Sequence, residues 1–215
     1  MYVVNSRAPS LTIALLIVLF ACSAFVIGRE TSPKSSNQPR PLITRTSVDF
    51  VTPWTASGTL SAQEKVTSRV SGSCWTGSLN VNESDAWRCA SGNAIYDPCF
   101  SSFSYEATDV ACLISPWTGV VLLRLTKPLP TSQRHPVSDK SEPSPDWALE
   151  LSDGDHCVLV SGTIDTLGGV LLPYYCSSGA LAGTLNMQSE PWTVEYYRSG
   201  SDVLYDVNVK VAWGG

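Results

Sequence analysis

Hydrophobic positions along this chain fall into two regimes. Residues 11–28, LTIALLIVLFACSAFVIG, are uncharged and almost wholly apolar; as a helix such a run reaches roughly 27 Å, enough for a bilayer core with some thinning. Beyond residue 46 the apolar residues come in short groups cut by Gly, Pro, Ser and Asn, the pattern of strands and turns. Residues 119–126, GVVLLRLT, form a continuous apolar run of strand length with one Arg, which predicts a buried strand. Near the C-terminus Tyr205, Val207, Val209, Val211 and Trp213 alternate with Asp206, Asn208, Lys210 and Ala212. A period of two predicts a half-buried strand there, with Trp192, Val194 and Tyr196 on a hairpin partner across RSGSD. VDFV and VTSRVSGSCWTGSL predict further short strands. One segment reads differently. In NVNESDAWRCASGN, Ser84 as N-cap, Asp85 in the first turn and a Gly92-Asn93 stop predict a single short helix. Tyr96, Asp97 and Pro98 then predict a turn before Cys99.

The fold class that follows is mainly β: an antiparallel sandwich or barrel-like domain with one short helix, after an N-terminal transmembrane or signal helix. Residues 1–28 hold the apolar segment. Residues 29–46 are a Pro-rich, polar stalk that cannot bury enough surface to offset its ordering entropy. Residues 47–215 are the body, interrupted at 127–146 by a Pro-rich polar loop, read as an exposed excursion rather than a linker.

Cysteine usage adds the compartment. Cys74, Cys89, Cys99, Cys112, Cys157 and Cys176 lie in the body, and an even count in a β-rich chain predicts three disulfides formed in an oxidising, extracytoplasmic setting. Zinc is disfavoured, because no CxxC pair occurs and neither histidine stands at ligand spacing. A hairpin folded between Thr166 and Leu167 places Cys157 opposite Cys176, which predicts that bridge. Pro173, lacking a donor, belongs at an edge or bulge of that hairpin. Pairing among the other four stays open. With a strand at Cys74 and a helix through Cys89, unequal rises set Cys89 against the middle of the strand, so Cys74–Cys99 with Cys89–Cys112 competes with local pairing.

For the apolar segment three fates compete. An uncleaved signal anchor fits best, since Ala24 to Ile27 continue the run. Leu19-Phe20-Ala21-Cys22 resembles a lipobox that would lipidate Cys22, although bulky Phe20 departs from the pattern. Simple cleavage after Ala24 is the third. Arg7 precedes the run whereas Arg29, Lys34, Arg40 and Arg45 follow it, a bias that favours a cytoplasmic body; the cysteine count outweighs it.

Charge narrows the partners. The formal net charge is −5 and only 15% of residues are charged; without Lys or Arg clusters to neutralise phosphates, nucleic acid is excluded as a partner. No pattern implies a cofactor or a metal. Seven Trp offer fillers for a small rigid core, or an exposed pair able to stack on sugar rings or a protein partner. A secreted hydrolase using His156 with a nearby Ser and Asp153 or Asp155 is the alternative, but no GxSxG elbow is present and His135 lies in the Pro-rich loop. Asp153-Gly154-Asp155 lacks the other ligands of a calcium loop and reads as a turn feeding a strand. Asn82-Glu83-Ser84 is a glycosylation sequon that the capping role of Ser84 already explains. GSLNVNESDAW from Gly77 is similar to GTLNMQSEPW from Gly183, a repeat that chance in a β-rich composition also explains.

Taken together, GSCWTGS, DAWRC, GNAIYDPCF, LRLTKPLP, WALELSDGDHC, YYCSSG, PWTVEYY and VAW resemble a family of uncharacterised exported or surface-anchored proteins of Gram-positive-type bacteria. The resemblance spans about residues 72–213. It implies an extracytoplasmic protein whose hallmark is the four-cysteine segment, and it brings no activity, ligand or site residue. The expectation is a membrane-anchored, cell-surface, non-enzymatic domain that meets the membrane through its N-terminal helix and binds a cell-wall glycan, another envelope component or a protein partner.

Overall fold

A computed structural model of the protein describes residues 42–102, 107–133, 146–201 and 203–214. The N-terminal apolar run, Cys22, His135 and most of the Pro-rich loop lie outside the described residues. The strands are β1 (Ser47–Phe50), β2 (Val66–Gly77), β3 (Ala86–Ser91), β4 (Ala94–Ser101), β5 (Asp109–Cys112), β6 (Val120–Leu125), β7 (Ala148–Leu151), β8 (His156–Leu159), β9 (Asp165–Leu167), β10 (Val170–Leu172), β11 (Tyr174–Cys176), β12 (Gly179–Asn186), β13 (Thr193–Arg198) and β14 (Leu204–Gly214). The body is mainly β, as the pattern predicts, and no α-helix occurs among the described residues.

Two closed sheets divide it. Strands β2 to β6 form a barrel in chain order. Five strands laid antiparallel in succession leave the last running with the first, so closure is parallel: Val70 stands beside Leu123. The second barrel uses six strands, β7, β8, β11, β12, β13 and β14, so its closure is antiparallel, with Ala212 opposite Leu149. β1 adds to β14 in parallel, and β9–β10 form a separate two-stranded hairpin.

Three clusters hold these layers together. Cys74, Trp87, Cys89, Cys99, Val110, Cys112, Val121 and Leu123 fill the first barrel. Leu149, Leu151, Tyr174, Leu181, Val194, Tyr196 and Val209 fill the second. A third lies between them, where Phe100, Leu113 and Val120 of the first half pack on Trp147 and Ala148 of the second. The two barrels therefore share a core.

The expected helix at NVNESDAWRCASGN is not formed. Residues 84–85 make a turn, and the chain continues as β3. Trp87 and Cys89 point into the first core while Arg88 points the other way, a period of two that weak capping signals mask in the sequence. The Gly92-Asn93 stop is a two-residue hairpin turn, Ser91 opposite Ala94, with Gly92 at φ 57°. The turn expected at Tyr96 to Pro98 is likewise absent, because those residues lie inside β4, where the Asp97–Pro98 bond is cis.

This correction decides the disulfides. Two strands advance equally, so Cys89 stands directly opposite Cys74, and Cys99 opposite Cys112. The bridges are Cys74–Cys89, Cys99–Cys112 and Cys157–Cys176. Cys157 and Cys176 are register partners between β8 and β11. The chain nevertheless turns at Gly168-Gly169, two residues beyond the expected point, and the break at Pro173 absorbs the offset.

The C-terminal strand is also only partly as patterned. Val207 and Val209 face the core, but the register with β7 shifts between Val209 and Val211, so Ala212 rather than Val211 is buried next. One extra residue exchanges the faces of the strand beyond it, and Trp213 packs on the core between the barrels.

Removing the second bridge as Cys99→Ala/Cys112→Ala should cost about 3 kcal/mol in urea unfolding, the loss expected for closing a loop of this length. A loss below about 1 kcal/mol would show that the pair does not restrain the unfolded chain.

Candidate functional site

The residues singled out for hydrolysis are occupied elsewhere. The His156 ring stacks on Trp117, centroids 4.0 Å apart and planes within 9°. Trp117 in turn meets Trp213 edge-on at 4.8 Å. Trp117 follows β5 and Trp213 ends β14, so this aromatic stack belongs to the seam between the barrels. The Asp155 carboxylate is buried and accepts the Tyr196 hydroxyl at 2.5 Å and the Ser178 and His156 amides at 3.1 Å. Burial, and then that hydrogen bond to Asp155, raise the Tyr196 phenol above its ordinary range. Asp153 accepts Arg198 Nη2 at 2.8 Å and the Asp155 amide at 3.1 Å. Among the described residues no serine hydroxyl bonds the His156 ring; Ser177 Oγ donates to the backbone carbonyl of His156.

All seven tryptophans are described. Trp87 and Trp147 are fully buried, Trp54, Trp117, Trp192 and Trp213 half-buried, and Trp75 alone is exposed, at 44%. The stacked exposed pair that would mark a sugar platform is not present. Cys89, Cys99 and Cys112 bring their sulfurs within 4.8 Å of one another, but each is spent in a disulfide.

Trp75 sits beside the most highly connected polar group in the first barrel. Arg88 lies with its guanidinium 5.8 Å from the Trp75 ring centre and donates to Asp97 Oδ2 at 3.1 Å and to the Ser161 carbonyl at 2.6 Å. Asp97 also accepts the Ser78 hydroxyl and the Leu79 amide. With every side-chain oxygen engaged, a buried pair is tolerated, and it ties the first barrel to the loop after β8.

Two surface depressions are lined by described residues. One, of about 480 Å³, lies at an end of the second barrel, against Ser152, Asp153, Arg198, Tyr205 and Asp206. It is open, and its Arg198 and Asp153 already neutralise each other. The other, of about 320 Å³, crosses the seam. Phe50 enters it because β1 lies on β14, beside Gly214; a Cβ at 214 would stand 3.3 Å from the Phe50 ring, so glycine lets the ring settle there. Trp54 is fixed by its Nε1, which donates to the Phe100 carbonyl at 2.8 Å. The loop between β2 and β3 supplies Glu83, Ser84 and Asp85. Aromatic walls with carboxylates at the rim suit a cation on an apolar stem, such as an ammonium or guanidinium group. Glu83 has no side-chain partner among the described residues.

Sequence reasoning missed this groove. Phe50 and Gly214 carry no motif, Glu83 enters the sequence reading only as the middle of a sequon, and the three line one groove through the parallel addition of β1. Comparison with known protein families, curated proteins and solved structures returns no match, so the reading rests on the geometry.

Asp146 lies beside the groove, its Oδ1 3.4 Å from where a Cβ on Gly214 would stand. Burial pushes its carboxyl up to about 6, against the pull of its own backbone amide. The folded state thus holds this proton more tightly than the unfolded chain. Its contribution to stability is full below about pH 4 and is lost as the pH rises through about 6. Asp146→Asn should flatten that part of the stability–pH curve and raise the melting temperature at pH 7; an unchanged slope would contradict the assignment. Arg88→Ala, which leaves Asp97 buried and uncompensated, should cost about 3 kcal/mol in urea unfolding, and a cost below about 1 kcal/mol would show the pair to be solvated.

Proposed function

We propose that this protein is a membrane-tethered, extracytoplasmic, non-enzymatic binding domain, whose aromatic and acidic groove across the two barrels holds a cationic group of a protein partner or envelope component. The observation that carries the compartment is the oxidised state of all six body cysteines, since such bridges persist outside the reducing cytoplasm. The tether is read from residues 11–28. Binding is favoured over hydrolysis because His156 is held in an aromatic stack and Asp155 is saturated by structural donors. A cell-wall glycan is the less favoured ligand, since Trp75 has no exposed aromatic partner of its own kind.

Thiol labelling of intact cells with an impermeant maleimide, with and without reductant, tests the placement. The expected result is no labelling of the body cysteines until reductant is added, and labelling without disruption of the membrane thereafter. Labelling without reductant, or only after lysis, would overturn it.

A further inference from the structure

Among the described residues β1 ends the order of the larger sheet, and β14 is the only strand it pairs with. The backbone groups of alternate residues in a ladder turn to opposite edges. Half of those in Ser47–Phe50 therefore face away from β14, and no described residue bonds them. All four residues are exposed. Open edges are commonly guarded by lysine, by proline or by a bulge. β1 has no Lys, no Pro and no register shift, and its one charge is the Asp49 carboxylate. An edge of this kind is a template for a further strand.

The groove starts where that strand stops. Phe50 closes β1 and opens the groove wall, which residues 51–54 continue as far as Trp54. A strand laid along β1 therefore runs off its end at the mouth of the groove. Charge along this path has one sign. Asp49 lies on β1, Glu83 and Asp85 line the groove, and no Lys or Arg lines it. Arg45, the nearest basic residue in the chain, precedes β1 and so belongs to its other end. Phe50, 67% exposed, offers its ring to an aliphatic stem. An acidic segment would meet like charge on both the strand and the groove, whereas a basic one is complementary to both.

We infer that β1 and the groove form one docking site for an extended segment of a protein partner, which adds as a strand to the free edge of β1 and lays one Lys or Arg side chain past Phe50 into the groove, its cationic head toward Glu83 and Asp85. This rests on the cationic ligand proposed above for the groove. It adds that the ligand is a polypeptide held by its backbone as well as by its charge, and not a free amine or an amino sugar.

The full-length chain in detergent micelles should be titrated with a fluorescein-labelled peptide of about eight residues, alternating valine and threonine around a single lysine, with anisotropy as the readout. Two further peptides carry N-methyl groups on alternate backbone amides, in opposite phase. Strand addition requires one phase to lose binding by more than about tenfold and the other to keep it, because only one set of amides faces β1. Replacing the peptide lysine by norleucine, or Glu83→Gln in the protein, should each weaken binding by about tenfold. Equal binding of both methylated peptides would overturn the strand addition and leave the cationic groove standing. Phase-dependent binding that ignores norleucine and Glu83→Gln would remove the groove, and this inference with it. If no peptide binds, the inference falls, and a butylammonium titration of the Trp54 indole N–H resonance shows whether the groove reading falls too. A dimer that the peptide does not dissociate would assign the β1 edge to a second copy and likewise overturn the inference.

Discussion

Register is the constraint on which the first barrel depends, and two covalent bonds set it. Cys74 faces Cys89 across β2 and β3, and Cys99 faces Cys112 across β4 and β5, with both bridges in the same buried cluster beside Trp87. A slip by one residue would send every inward side chain of a strand to the surface. With these pairs joined, Trp87 stays in the first core and Arg88 stays on the opposite face of β3, in its buried pair with Asp97. A barrel of five strands has little interior to specify its own alignment, so the sulfurs supply what packing alone would leave weak.

From that register the union of the two halves follows. Arg88, directed away from the first core, reaches Asp97 and the Ser161 carbonyl of the second half. The ion pair is useful because it is saturated: guanidinium, carboxylate, hydroxyl and amide satisfy one another where water is excluded. Beside it, Trp117, His156 and Trp213 interlock from three separate parts of the chain. Histidine and tryptophan, which by residue type invite a catalytic or sugar-binding reading, serve here to join barrels. The groove beside Phe50 and Trp54 is a by-product of the same seam, open because Gly214 has no side chain.

Strands marked by a local pattern, a continuous apolar run or a strict alternation, were legible. GVVLLRLT is β6, and the Trp192 to Trp213 hairpin is β13 and β14. The Cys157–Cys176 bridge was legible too, because a hairpin is a local object. The segment around Ser84 was misread because serine, aspartate and glycine mark a helix end or a β-turn equally well, and the choice is made by the core that Trp87 and Cys89 enter. The similar segments from Gly77 and Gly183 occupy matching places, linking β2 to β3 and β12 to β13, with Trp87 and Trp192 each packed on the core of its own barrel.

By itself the sequence determined that the body is built of strands, that its six sulfurs suit pairing, and that an apolar run precedes a Pro-rich polar stretch, since each of these follows from composition and short-range periodicity. Only the tertiary structure decided that the strands close into two barrels, that a bulge turns Trp213 to the seam, that His156 stacks on Trp117, and that Phe50, Glu83 and Gly214 line one groove. Those outcomes depend on which strand edges find each other across gaps of many residues, and no local pattern encodes that choice.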